Sequence, residues 1–139
     1  MADGARLASA ALRFVGVPFR LYGRDPAVGL DCVGLVAESL RTIGREPFAP
    51  TGYRLRNSSI DHWLGEAKRS SLYEVAGAIC PGDVLLCATG PAQQHLMIAT
   101  DDACVVHAHA GLRRVVLQPL ACETHLLRQW RLSEQNEET

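Results

Sequence analysis

The chain has 139 residues, 47% of them apolar and 21% charged, and a formal net charge of −1. That composition fits one globular domain, residues 1–133, with a polar tail at 134–139. It excludes a disordered chain and a strongly basic nucleic-acid binder, and no run approaches the ~18 apolar residues of a membrane span.

Leu7, Ala10, Ala11 and Phe14 recur at helical spacing. Residues 4–15 are therefore expected to form an amphipathic helix, stopped by Gly16 and Pro18. The same stretch is broken by Asp3, Arg6 and Arg13 and has no apolar core of export-signal length. The expectation is a protein made in the cytoplasm without a signal peptide. A loop at 18–30 carries Gly23, Pro26 and Gly29. Leu35, Val36, Leu40 and Ile43 then mark a second helix, beginning near Cys32 with Asp31 as its N-cap and ending near Gly44. A long connection at 45–58 and a short helix at 60–67 follow.

The second half has a different period. Residues 83–89, 95–100, 103–108, 113–118 and 126–132 form short apolar runs divided by turn residues, which predicts an antiparallel meander. Helices first and strands afterwards make the expected fold class α+β.

Five cysteines, at 32, 80, 87, 104 and 122, show no Cys-x-x-Cys spacing. The odd count argues against a disulfide framework and against a thiolate zinc site. Cys32 differs from the others because it stands at a loop-to-helix junction. Free N–H groups and the positive end of the helix dipole favour a thiolate there. Gly34, in the first turn, leaves room for a substrate to approach the sulfur. His95 opens one predicted strand and His107 closes the next, so a hairpin brings them to the same end. A cysteine with two such histidines is the pattern of a nucleophile, a base and the residue that orients the base. Zinc held by Cys32, His95 and His107 is the alternative use of the same three side chains. His109, His62 and His125 are expected at the surface, and Asp83 in a turn. Trp63 and Trp130 are expected in packing, and Arg113 and Arg114 at a solvated strand end.

The segments Gly16-Val-Pro-Phe-Arg-Leu-Tyr-Gly23, Gly29-Leu-Asp-Cys-Val-Gly-Leu-Val36, Pro81-Gly-Asp-Val-Leu-Leu86, His95-Leu-Met-Ile98 and Val105-Val-His-Ala108 occur in that order. This ordered set resembles the NlpC/P60 peptidases over about residues 5–118. The resemblance implies a papain-like fold, N-terminal helices packed on a small antiparallel sheet. It implies a cysteine-type peptidase acting on peptidoglycan stem peptides, with Cys32 as nucleophile, His95 as base and His107 as third polar residue. Phe19, Tyr22, Asp31 and Gly34 are the expected substrate contacts, and no metal or other cofactor is required. The bare domain is most similar to phage-type or gene-transfer-agent peptidases, which implies phage-tail-like structural proteins as partners and delivery to the wall on a particle. Two positions depart from the family pattern: Phe19 stands where a tyrosine is usual, and Val33 where serine is more frequent. The departure at Phe19 leaves room for an inactive wall-binding module of the same fold, and the scaffold also suits an amidase or acyltransferase.

Overall fold

The computed structural model describes residues 2–46, 71–90, 93–120 and 125–134. The expected connection beyond residue 46 and the short helix at 60–67 lie outside the described residues, as do His62, Trp63 and Cys122.

Helix α1 spans Asp3–Leu12 and buries Leu7, Ala10 and Ala11 on one face. It stops three residues before the expected end. Phe14 N–H and Val15 N–H bond back to Ala11 and Leu12 in tighter turns, and Gly16, at φ 96°, turns the chain so that its N–H reaches Val115 O at 2.9 Å. The loop after it holds a two-residue ladder, β1 (Arg24–Asp25) against β2 (Gly29–Leu30). Helix α2 spans Cys32–Thr42, capped by Asp31 as expected. Gly44, at φ 84°, ends it: Gly44 N–H bonds Arg41 O and Arg45 N–H bonds Leu40 O, closing the last carbonyls.

The remaining strands are β3 (Leu72–Glu74), β4 (Val84–Gly90), β5 (Gln93–Ala99), β6 (Cys104–His109), β7 (Arg114–Pro119) and β8 (His125–Leu132). They form one six-stranded antiparallel sheet in the order β3-β8-β4-β5-β6-β7. The architecture is therefore α+β, as expected. β4 to β7 form the expected meander, but β8 does not continue it.

The reason lies at the outer edge of β7, which the segment after α1 already occupies. Val115 N–H donates to Val17 O at 2.8 Å and Phe19 N–H to Arg113 O at 2.9 Å. β8 returns instead to the free edge of β4, and β3 adds beyond it. Asp83, fully buried just before β4, fixes that return. Its carboxylate accepts from Cys80 N–H, from Gln129 Nε2 and from both Nε and Nη2 of Arg131, each at 2.9 Å. The expectation that Asp83 supports a turn is thus extended to a clamp on β8.

One face of the sheet packs on the helices. Leu96, Ile98, Val106, Ala108 and Val115 join Leu7, Leu35 and Leu40 in the main core, with Trp130 as core packing. The alternate residues Leu85, Cys87, Met97, Ala99 and Val105 form a second, smaller cluster on the other face. Replacing Asp83 by Ala removes the carboxylate acceptor of Gln129 and Arg131 and leaves them the Ala78 carbonyl, to which both also donate. It is expected to destabilise the fold by about 3 kcal/mol, read as a lower urea midpoint. A loss under half that size would mean that the β8 return is held by apolar packing alone.

Candidate functional site

The β5–β6 ladder is short: its register pairs are Ile98↔Val106 and Ala99↔Val105. Beyond them the two strands run on without pairing, and the start of α2 sits at this opened end. Cys32, the first residue of α2, packs partly against the main core. Backbone N–H groups of Leu96 in β5 and of Val33 lie against its sulfur. The Leu96 contact sets the thiol beside the His95–Leu96 peptide.

His95 and Met97 point to the face away from the helices, since Leu96 and Ile98 fill the core. In this region His95 Nε2 lies 2.9 Å from His107 Nδ1, with the rings edge-on at 81° and centroids 5.0 Å apart. His107 is buried, and its Nε2 lies 2.8 Å from Gln118 Oε1 on β7. The His109 ring is 5.4 Å from that of His107, and its Nδ1 accepts from Leu112 N–H at 3.1 Å. It is therefore part-buried rather than a free surface residue, and His107 is the partner of His95. His125, by contrast, is exposed as expected, and so are Arg113 and Arg114.

Burial decides the protonation states. The Cys32 thiol is pushed up to about 11, first by desolvation and then by the Asp31 carboxylate; the N–H groups of Leu96 and Val33 and the Arg24 guanidinium pull the other way. A helix terminus alone favours a thiolate, but here desolvation outweighs it. His95 is lowered to about 3 by burial, then by His107 and His109, and His107 is lowered as well, again by burial first. At neutral pH the Cys32 thiol and the imidazoles of His95 and His107 therefore rest neutral. Cys87 faces His95 across the β4–β5 pair, but it is fully buried in the second apolar cluster, which leaves a substrate carbonyl no path to it.

Asp31 and Gly34 are used differently from the expectation that they meet the substrate. Asp31 is 0% exposed. Its Oδ1 accepts from Gly34 N–H at 2.8 Å and from Arg24 Nη1 at 3.0 Å, and its Oδ2 from Tyr22 N–H at 2.8 Å. Gly34 leaves no open space either, because a Cβ there would stand 2.0 Å from Gly23 O. The missing side chain admits the loop, not a ligand. Phe19 is half-buried against the core, and its backbone joins the β7 edge and a bridge to Leu30. Tyr22 is 47% exposed, in a left-handed conformation at φ 63°. Arg24 and Gln118 were not singled out by the sequence motifs. For Gln118 a signal existed in the strand register: Val105↔Gln118 puts it diagonal to His107 on the same face, within reach of a long side chain.

Among the described residues no group of three or more His, Cys, Asp or Glu side chains is arranged to hold a metal ion. Nor is any described helix long and apolar enough to cross a membrane.

The family model described as the NlpC/P60 family matches residues 16–131. The chain belongs to the NlpC/P60 family. Solved NlpC/P60 structures share its fold. NlpC2 of Trichomonas vaginalis superposes with a TM-score of 0.72 at 18% identity, over 97% of this chain and 48% of that one. An NlpC/P60 family protein from Bacillus cereus gives 0.68 at 20% identity, over 93% and 40%. The NlpC/p60 domain of the peptidoglycan hydrolase SagA gives 0.65 at 21% identity, over 94% and 99%. This chain thus spans less than half the length of the first two and nearly all of the SagA domain. Comparison with curated protein sequences gives no match.

Two outcomes follow from the geometry of this NlpC/P60 site. Alkylation of Cys32 by iodoacetamide, followed peptide by peptide in a mass spectrometer, is expected to be slow at neutral pH and to climb toward pH 11. A rate already at its plateau at neutral pH would mean that the sulfur rests as a thiolate. Gly34→Ala is expected to cost about 2 kcal/mol, because the new Cβ meets backbone rather than a flexible side chain. A urea midpoint equal to the parent's would show that the Gly23 carbonyl moves aside freely.

Proposed function

We propose that this NlpC/P60 chain is a cysteine peptidase that hydrolyses amide bonds in bacterial cell-wall peptides. The observation that carries the reading is the His95–His107 pair at 2.9 Å, together with a Cys32 sulfur that lies against the backbone N–H of Leu96, the residue after His95. A thiol nucleophile, an imidazole base and a third group that orients the base can carry acyl transfer without a metal.

The steps are as follows. The Cys32 S–H proton passes to His95 as the sulfur attacks the amide carbonyl carbon and the S–C bond forms. The carbonyl oxygen becomes an oxyanion, which backbone N–H groups at the start of α2 stabilise. His95 gives its proton to the departing amine nitrogen, and the C–N bond breaks to leave a thioester. Water then loses a proton to His95 and adds to the thioester carbon. The C–S bond breaks, and the proton returns to the sulfur. His107 holds the ring of His95 throughout. Neutral resting states suit this sequence, because thiolate and imidazolium form together as the carbonyl is attacked and each stabilises the other. The cell-wall substrate is supported by the family and by the SagA domain, which comes from a peptidoglycan hydrolase.

A second reading, a wall-binding module without turnover, is favoured by Phe19, which carries no hydroxyl. Digestion of diaminopimelate-type peptidoglycan, with products resolved by mass spectrometry, separates the two. New amino groups at a stem-peptide bond are expected from the wild type and none from Cys32→Ala. His95→Ala is expected to lose roughly 10²–10⁴ in rate. Wild-type protein that binds the wall yet releases nothing would move the assignment to the binding module. Release that persists in Cys32→Ala would remove Cys32 from the mechanism.

A further inference from the structure

The rings of His95 and His107 and the Gln118 amide, at the opened end of β5 and β6, form a chain of neutral hydrogen bonds, and such a chain has a direction. One proton lies between His95 Nε2 and His107 Nδ1, and one between His107 Nε2 and Gln118. A neutral imidazole carries a single N–H, so the choice made at one end of the chain fixes every ring in it. Gln118 presents its carbonyl oxygen, Oε1, at 2.8 Å. That oxygen only accepts, so the His107 proton sits on Nε2. His107 Nδ1 is then an acceptor, and it takes the Nε2–H of His95. His95 is left with Nδ1 unprotonated, the one state in which it can take a proton from a thiol. With the amide turned over, Gln118 Nε2 would donate and each proton would shift along by one nitrogen. His95 would then carry its proton on Nδ1 and could not act as a base.

We propose that Gln118 is a positioning residue that fixes the tautomer of His107 and, through it, sets His95 as a proton acceptor toward Cys32. This rests on the reading of Cys32 and His95 as nucleophile and base. Gln118 stands on β7, two strands from His95, and touches neither substrate nor sulfur in this role. Among the described residues, the titratable groups facing His107 are His95 on β5 and its own-strand neighbour His109, whose Nδ1 is already engaged by Leu112 N–H. Neither supplies an acceptor for His107 Nε2, so the direction of the chain depends on Gln118.

The test uses two variants and two readouts. In the wild type, nitrogen-15 NMR of the histidine side chains is expected to show both His95 and His107 protonated on Nε2 at neutral pH. Gln118→Leu removes the acceptor. His107 is expected to shift toward the Nδ1–H form, and kcat to fall about 10-fold with KM unchanged, a part of the full acid–base contribution. Gln118→Glu can only accept, so it is expected to restore the Nε2–H form and most of kcat at alkaline pH. Its negative charge also favours a doubly protonated His107, which cannot accept from His95, so the acid limb of its pH profile is expected to move to higher pH. Unchanged tautomers and kcat in Gln118→Leu would overturn the proposal. Equal losses in both variants with unchanged tautomers would do the same, leaving packing as the role. If the wild type hydrolyses no wall peptide, the peptidase reading fails, while the NMR tautomers still decide the role of Gln118.

Discussion

Asp31 is a charged group held where no water reaches it, and the elements around the thiol are arranged to satisfy it. Its oxygens accept from the first turn of α2, from the backbone at Tyr22 and from the Arg24 guanidinium. A buried carboxylate without such donors is strongly unfavourable, so loop, helix start and β1 must come together or the fold loses stability. Gly34 and Gly23 permit that approach, since a Cβ on either would collide with backbone. The loop after Phe19 is thereby wrapped over the start of α2, and Cys32 is held beside β5.

The same carboxylate bears on the chemistry. One residue before the nucleophile, it opposes a negative sulfur, while Arg24 and two backbone N–H groups favour one. Desolvation is the largest effect and outweighs these opposing contributions. It acts on the imidazoles in the same sense, disfavouring their charged forms. An uncharged site loses the speed of a ready-made thiolate. In return its protons lie in hydrogen bonds whose direction a single amide can set.

The far side of the sheet repeats the device. Asp83 is as fully buried as Asp31, and it gathers donors from β8 as Asp31 gathers them from the loop. One carboxylate secures the strand that closes the sheet beyond β4, and the other secures the helix start at the opened end. Between them β5 is paired along β4 on one side and leaves β6 on the other, which is where the histidines meet.

The local elements were legible in the sequence because their causes are local. Apolar spacing marked both helices, Asp31 marked the cap of α2, and turn residues divided the strands of the meander. The ordered motifs were enough to indicate the family and to single out Cys32, His95 and His107. Three features depended on contacts between distant parts of the chain. β8 crosses back to β4 because Gly16–Phe19 already occupies the edge of β7, which no local pattern encodes. Gly34 serves the approach of Gly23 rather than that of a ligand, a matter of which surface happens to lie 2.0 Å away. The thiol rests protonated because its desolvation is set by neighbours drawn from α2, β5 and the loop, and burial of that kind exists only once the chain has folded.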